Sequence, residues 1–171
     1  MSDINIIYDA ETIAAHIIKF SNQKGISVTN LRLQKLLYFV QGLSLSNINK
    51  PAFIDDIEAW NYGPVVPNVY AKYAYKGSYP IEDNEVKKLK IDFSSSDLDS
   101  FYSYIDYDDI EEDIQMIINK VIDVTSLYSD FRLVDITHSE GPWKNTFSKS
   151  NIHRVIKRED IKKHFDSLNG K

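Results

Sequence analysis

The chain has 171 residues, no cysteine, and 25 acidic against 20 basic side chains, for a formal net charge of −5. Without thiols it can hold no disulfide, thiolate metal site or cysteine nucleophile, and its length suits one domain that buries a core without covalent staples. No apolar run is long enough for a membrane span, and Met1 to Tyr8 has no basic start and carries Asp3; neither a membrane partner nor a secretory leader is expected, and the cytoplasm is the default location.

The first predicted helix runs from about Asp9 to Ser21, with Ala10, Ile13, Ala14, Ile17 and Ile18 forming one buried stripe. Gly25 marks a turn. Thr29 can cap a second helix whose inner face is Leu33, Leu36, Leu37, Val40 and Leu43. The short connection predicts an antiparallel pair. Phe53 to Trp60 fits a short extended segment, because Ile57, Ala59 and Trp60 match no long helical stripe.

Gly63 precedes Pro64 and is expected to be extended. Pro64 and Pro67 stiffen the loop, and Pro67 can open a helix reaching about Lys76 before the stop at Gly77. Ser78 to Tyr107 has no sustained period and predicts a variable surface excursion, with room for a hairpin around Lys87 to Phe93. A long helix is expected from about Asp108 to Tyr128, on the stripe Ile110, Ile114, Ile117, Ile118, Val121, Ile122 and Thr125. Glu111, Glu112 and Asp113 suit its first turn. Asp130 can cap the next helix, which would carry Phe131, Val134 and His138 on one side and end at Gly141–Pro142. A last helix, Arg158 to Leu168, turns Ile161 and Phe165 inward. The expected fold is mainly α: a single compact helical domain, 1–171, with a short extended segment and a variable insertion at 78–107.

Charge is unevenly spread. Nine acids and no Lys or Arg lie between Asp92 and Asp113, whereas Lys144 to Lys171 holds eight Lys or Arg against three acids. The acidic stretch repels nucleic acid and the basic one can attract it or an acidic protein, although solvated surface is the simpler account of both.

Catalytic motifs are scarce. The six glycines never approach phosphate-loop spacing, and the four histidines, His16, His138, His153 and His164, are scattered. His16, beside an apolar stripe, reads as structural. Glu58 and His138 adjoin aromatic-rich segments and would make an acid–base pair if both lined a cleft, but nothing nearby supplies a nucleophile or oxyanion donors. The first two helices can imitate a DNA-reading pair, yet the second offers only Arg32 and Lys35 in an acidic chain.

Three stretches carry a family likeness: Leu31-Arg32-Leu33-Gln34-Lys35-Leu36-Leu37-Tyr38-Phe39, then Ile57-Glu58-Ala59-Trp60-Asn61-Tyr62-Gly63-Pro64-Val65-Val66-Pro67-Asn68-Val69-Tyr70, and last Thr137-His138-Ser139-Glu140-Gly141-Pro142-Trp143. In this order and spacing they resemble the Panacea domain family, which includes SocA-like antitoxins and phage-associated GepA-like proteins. The likeness covers almost the whole chain apart from the excursion. It implies a mainly helical antitoxin that neutralises a cognate protein toxin by direct contact. The SocA-like branch implies instead that the toxin is delivered to a cellular protease. It implies no cofactor and no catalytic residues, so the chain is not expected to be an enzyme or to need nucleic acid as a partner. The alternatives are a DNA-binding regulator of its own operon and a small hydrolase centred on Glu58 and His138.

The residues suggest which side chains meet a partner. Leu33, Leu36, Leu37 and Val40 read as core, while Lys35 and Tyr38 share a helix flank. Trp60, Tyr62 and Tyr70 are large and partly polar, suited to anchoring a partner or filling a core, with Trp60 and Trp143 leaning towards core. The loop of Gly63, Pro64, Val65 and Pro67 is rigid and costs little entropy to order on binding. Trp143 is expected to fold back over the core, and His138 to meet Glu58 or a backbone carbonyl. The candidate partner-binding set is Lys35, Tyr38, Glu58, Trp60, Tyr62, Gly63, Pro64, Val65, Pro67, Tyr70, His138 and Trp143.

Overall fold

A computed structural model describes residues 7–171; most of the Met1 to Tyr8 segment therefore lies outside the described residues. Helix α1, Ala10–Gln23, starts where the Asp9 carboxylate accepts from Thr12 N at 2.7 Å, and its predicted stripe is buried. Helix α2, Asn30–Asn47, starts on Thr29, whose hydroxyl accepts from Arg32 N at 3.1 Å.

Helix α2 differs from the expected one-sided rod. Leu33, Leu36, Leu37 and Val40 are buried, but so are Arg32, Gln34, Lys35, Tyr38 and Gln41 on its other sides. It is the axis of the molecule, packed against α1 and five elements that come later in the chain. A helix enclosed all round must satisfy its polar side chains internally. Gly42 is what lets one neighbour approach: a Cβ there would lie 2.2 Å from the Phe165 ring.

The extended segment becomes a two-stranded antiparallel hairpin, β1 Glu58–Trp60 with β2 Gly63–Val65, in the register Glu58↔Val65 and Trp60↔Gly63. Gly63 corrects the sequence expectation. It sits at φ +99°, a region open to glycine and strained for any other residue. Helix α3, Pro67–Tyr73, has Pro67 in its first turn, continues as a 3₁₀ turn over Ala74–Lys76 and stops at Gly77.

Within the excursion, Ile81 is fully buried and its N–H donates to Val28 O at 2.9 Å, so the chain is anchored before it leaves the body. A ribbon then projects: β3 Lys88–Ile91, one turn of helix α4 Leu98–Phe101, and β4 Tyr102–Ile105.

Helix α5 is shorter than predicted, Glu112–Thr125 rather than Asp108 to Tyr128. Tertiary bonds occupy the backbone at both ends. His16 Nε2 donates to Asp108 O at 2.9 Å and Glu111 N donates to Tyr8 OH at 2.9 Å. At the far end Arg32 donates to the carbonyls of Thr125 and Tyr128. Helix α6, Asp130–Ser139, is capped by Ser129 rather than Asp130, because Asp130 is held by Arg32 at 2.7 Å and by the Thr29 hydroxyl. Its buried face is Leu133, Val134 and Thr137, and Phe131 faces solvent. Gly141–Pro142 opens a new short helix, α7 Gly141–Thr146. Helix α8, Arg158–Leu168, buries Ile161 and Phe165 as predicted. The architecture is mainly α. Among the described residues, no helix is long and apolar enough to cross a membrane.

Candidate functional site: a clamped aromatic groove

Polar side chains along α2 take over the backbone of the segment from Lys50 to Tyr70. Ser44 Oγ donates to Lys50 O at 2.6 Å. Gln41 accepts from Ala52 N at 2.8 Å and donates to Phe53 O at 3.0 Å. Gln34 accepts from Val66 N at 2.9 Å and donates to Asn30 Oδ1 at 3.0 Å, and Asn30 donates to Tyr70 O at 3.0 Å. Lys35 Nζ donates to Pro64 O at 2.8 Å. Buried loop backbone cannot stay unpaired, so each of these bonds removes a desolvation cost of roughly 1–3 kcal/mol.

These bonds explain why the first two sequence motifs occur together: one is the clamp and the other is the segment it grips. The third closes the arrangement. Tyr38 OH donates to Glu140 Oε2 at 2.7 Å, and Trp143 Nε1 donates to Trp60 O at 2.9 Å. Thr137 Oγ1 and the Lys35 stem crowd Gly63 so closely that a Cβ there would lie 2.7 Å from the hydroxyl and 2.9 Å from Lys35 Cε.

Burial sets the electrostatics. Lys35 has no exposed surface, and desolvation lowers its pKa from 10.5 to about 7. Burial raises the Tyr38 phenol, aided by the Glu140 charge, and also raises Glu140, against the opposing bond from Tyr38. His138 is lowered by burial and by the nearby Lys35 charge.

The expected Glu58–His138 pair does not form. The Glu58 carboxylate accepts from Trp60 Nε1 at 2.7 Å and meets His153 Nδ1 at 2.9 Å. The His138 ring stacks on Trp143 at 3.9 Å between centroids, and Trp143 stacks on Phe147 at 4.6 Å. The acid–base constellation that motivated a hydrolase is therefore not assembled. The DNA-reading geometry also fails, since α2 is enclosed and its two basic side chains are buried.

The candidate residues fall into two sets. Lys35, Tyr38, Gly63, Pro64 and Val65 are buried, and Glu58, Trp60, Pro67, His138 and Trp143 are half-buried. Tyr62 and Tyr70 are exposed, at 63% and 39%. These two tyrosines stand with Trp60, Leu31, Val65 and Phe131 around an open groove of about 490 Å³. The Trp60 and Tyr70 rings meet edge to face at 5.1 Å. The inner set positions and the outer set presents.

Sequence reasoning missed Asn30, Gln34 and Gln41 as clamp residues, Glu140 as the partner of Tyr38, and Phe131 as a groove wall. One signal was available: Asn30, Gln34 and Gln41 are spaced i, i+4, i+11, a polar stripe on a helix otherwise rich in leucine. Phe131 carried none, because its position depends on the angle at which α6 leaves α5.

The family model described as antitoxin SocA-like, Panacea domain, matches residues 33–144. This span takes in the excursion and leaves α1 and α8 outside. The chain is similar to antitoxin SocA of Caulobacter vibrioides (strain NA1000 / CB15N), at 32% identity over 136 residues, which cover 79% of this chain and 68% of the relative. No solved structure matches it.

Proposed function

The chain belongs to the antitoxin SocA-like Panacea family, and from that premise we propose that it is an antitoxin that binds a cognate protein toxin through the clamped aromatic groove. Membership points to a regulatory role and away from catalysis. The observation that carries the groove assignment is the division of labour among the motifs. Buried Gln34 and Lys35 hold the end of the hairpin, Thr137 packs against Gly63 and Asn30 holds the Tyr70 carbonyl, so that Trp60 and Tyr62 of the hairpin and Tyr70 of α3 line one groove. A rigid aromatic face loses little entropy when a partner docks on it, and Trp and Tyr are common binding anchors.

The test is co-expression with the adjacent gene. Growth arrest by that gene product is expected to be relieved by this chain. Tyr62→Ala with Tyr70→Ala is expected to weaken relief while the thermal midpoint of the purified protein stays within a few degrees, since exposed truncations change stability by only about 0.5 kcal/mol each. Relief that persists in a purified, protease-free assay identifies blocking by contact. Relief only in the presence of a cellular protease identifies delivery. A double variant that relieves arrest as well as wild type would remove the groove from the mechanism.

A further inference from the structure

The ribbon of β3 and β4 has a face that nothing among the described residues covers. In its antiparallel register Leu89 pairs with Tyr104 and Ile91 with Tyr102. Directly opposed residues share a face, and so do residues two apart along a strand. These four side chains therefore form one apolar patch, and they are 43% to 67% exposed. Phe93, 86% exposed, lies just beyond the end of β3. The opposite face carries Lys88, Lys90, Ser103 and Ile105. The two strands pack on each other and on α4, with no comparable packing against the helical body. A two-stranded ribbon standing alone is marginally stable in water, and an apolar face of this kind is uncommon on an unpartnered surface.

Charge identifies what would cover it. Asp92, Asp97, Asp99, Asp108, Asp109 and Glu112 lie on the ribbon and on the segment leading away from it, all exposed. None is in an ion pair among the described residues; the nearby Asp106 is held by Lys87 at 2.5 Å. We propose that the apolar face of the β3–β4 ribbon, flanked by unpaired carboxylates, docks onto a basic protein surface with an apolar centre. The proposal rests on the antitoxin reading: the partner is the toxin, and the ribbon is a second contact beside the aromatic groove.

Other occupants fit less well. Nucleic acid is repelled by the same carboxylates. A second copy would have to offer its basic segment, Lys144 to Lys171. There Ile161 and Phe165 are already buried, Lys162 is paired with Asp166 and Lys171 is bonded to Ser46 O. That segment has charge, but its exposed large apolar side chains are only Val155 and Leu168, against four side by side on the ribbon. Carboxylates facing a basic surface accelerate encounter and lose that effect in salt, while the apolar pairs slow dissociation.

The experiment uses the full chain and the protein encoded by the adjacent gene, with association and dissociation rates measured at low and moderate salt. Wild type is expected to bind, and this arm alone tests the antitoxin reading; if it does not bind, that reading and the ribbon assignment fall together. Asp99→Lys with Asp109→Lys changes side chains outside the strand pairing and is expected to slow association about tenfold at low salt, with the difference shrinking as salt is added. Ile91→Ser with Tyr104→Ser is expected to speed dissociation about tenfold. An unchanged far-ultraviolet spectrum and thermal midpoint show that the helical body is intact in both. If wild type binds and both variants bind equally well, the ribbon assignment is overturned and the groove reading stands. Concentration-dependent dimerisation of wild type that the same substitutions abolish would make the occupant a second copy and also overturn it.

Discussion

Replacing Lys35 with methionine separates the electrostatic cost of the clamp from its hydrogen bond. The lysine has no exposed surface, donates to Pro64 O at 2.8 Å, and titrates near 7 instead of 10.5 because burial disfavours its charged form. Between those two values the unfolded chain holds a proton that the folded chain lacks. This group therefore lowers stability as pH falls from 10.5 towards 7, and the loss levels off below the folded value. At about 1.4 kcal/mol per pH unit, the whole window is worth roughly 5 kcal/mol, of which about 2 kcal/mol falls between about pH 7 and about pH 9. Methionine has nearly the same length and no charge. It removes this dependence but leaves the Pro64 carbonyl without a donor, at about 1–3 kcal/mol. The variant is expected to be ahead of wild type by about 2 kcal/mol near pH 7 and level with it near pH 9. Urea denaturation of both proteins across that range measures the difference, and titrating groups other than His138, which senses the Lys35 charge, cancel in the comparison. A wild-type-minus-variant difference that does not change with pH would refute the claim that Lys35 is held neutral by burial.

Two further substitutions probe the same framework. Gly63→Ala places a Cβ 2.7 Å from Thr137 Oγ1 at φ +99°, and is expected to cost about 2 kcal/mol or more and lower the melting temperature; an unchanged melt would mean the hairpin can relax away from α2. Arg32→Ala leaves Asp130 and the carbonyls of Thr125 and Tyr128 without their common donor, and is expected to cost about 3–5 kcal/mol in denaturant titrations. A loss under about 1 kcal/mol would show that water replaces the guanidinium.

Helix α8 was legible because it buries a single stripe, and α1 because its stripe is strongly periodic, although Thr12, Ala15 and His16 are buried beyond it. The caps of α1 and α2 are local, since Asp9 with Thr12 and Thr29 with Arg32 lie within one turn of chain. Helix α5 departs from its sequence pattern at both ends, since no local pattern reveals that His16 takes Asp108 O or that Arg32 takes Thr125 O. Asp130 reads locally as a cap for the same reason: its partner Arg32 lies 98 residues away in sequence. The candidate partner-binding residues come from segments that the fold brings together, yet residue type alone could not divide them into a buried set and an exposed one.

The amino-acid order alone determined the helical class, the stiff Pro-containing loop and the three motifs, because periodicity, proline and capping chemistry act over a few residues. The tertiary structure decided that α2 is the axis of the molecule, that the motifs converge on it, and that Tyr62 and Tyr70 face out while Lys35 and Tyr38 face in. Those outcomes depend on which surfaces meet across dozens of residues. A side chain's burial is a property of everything packed around it, which no stretch of sequence contains by itself.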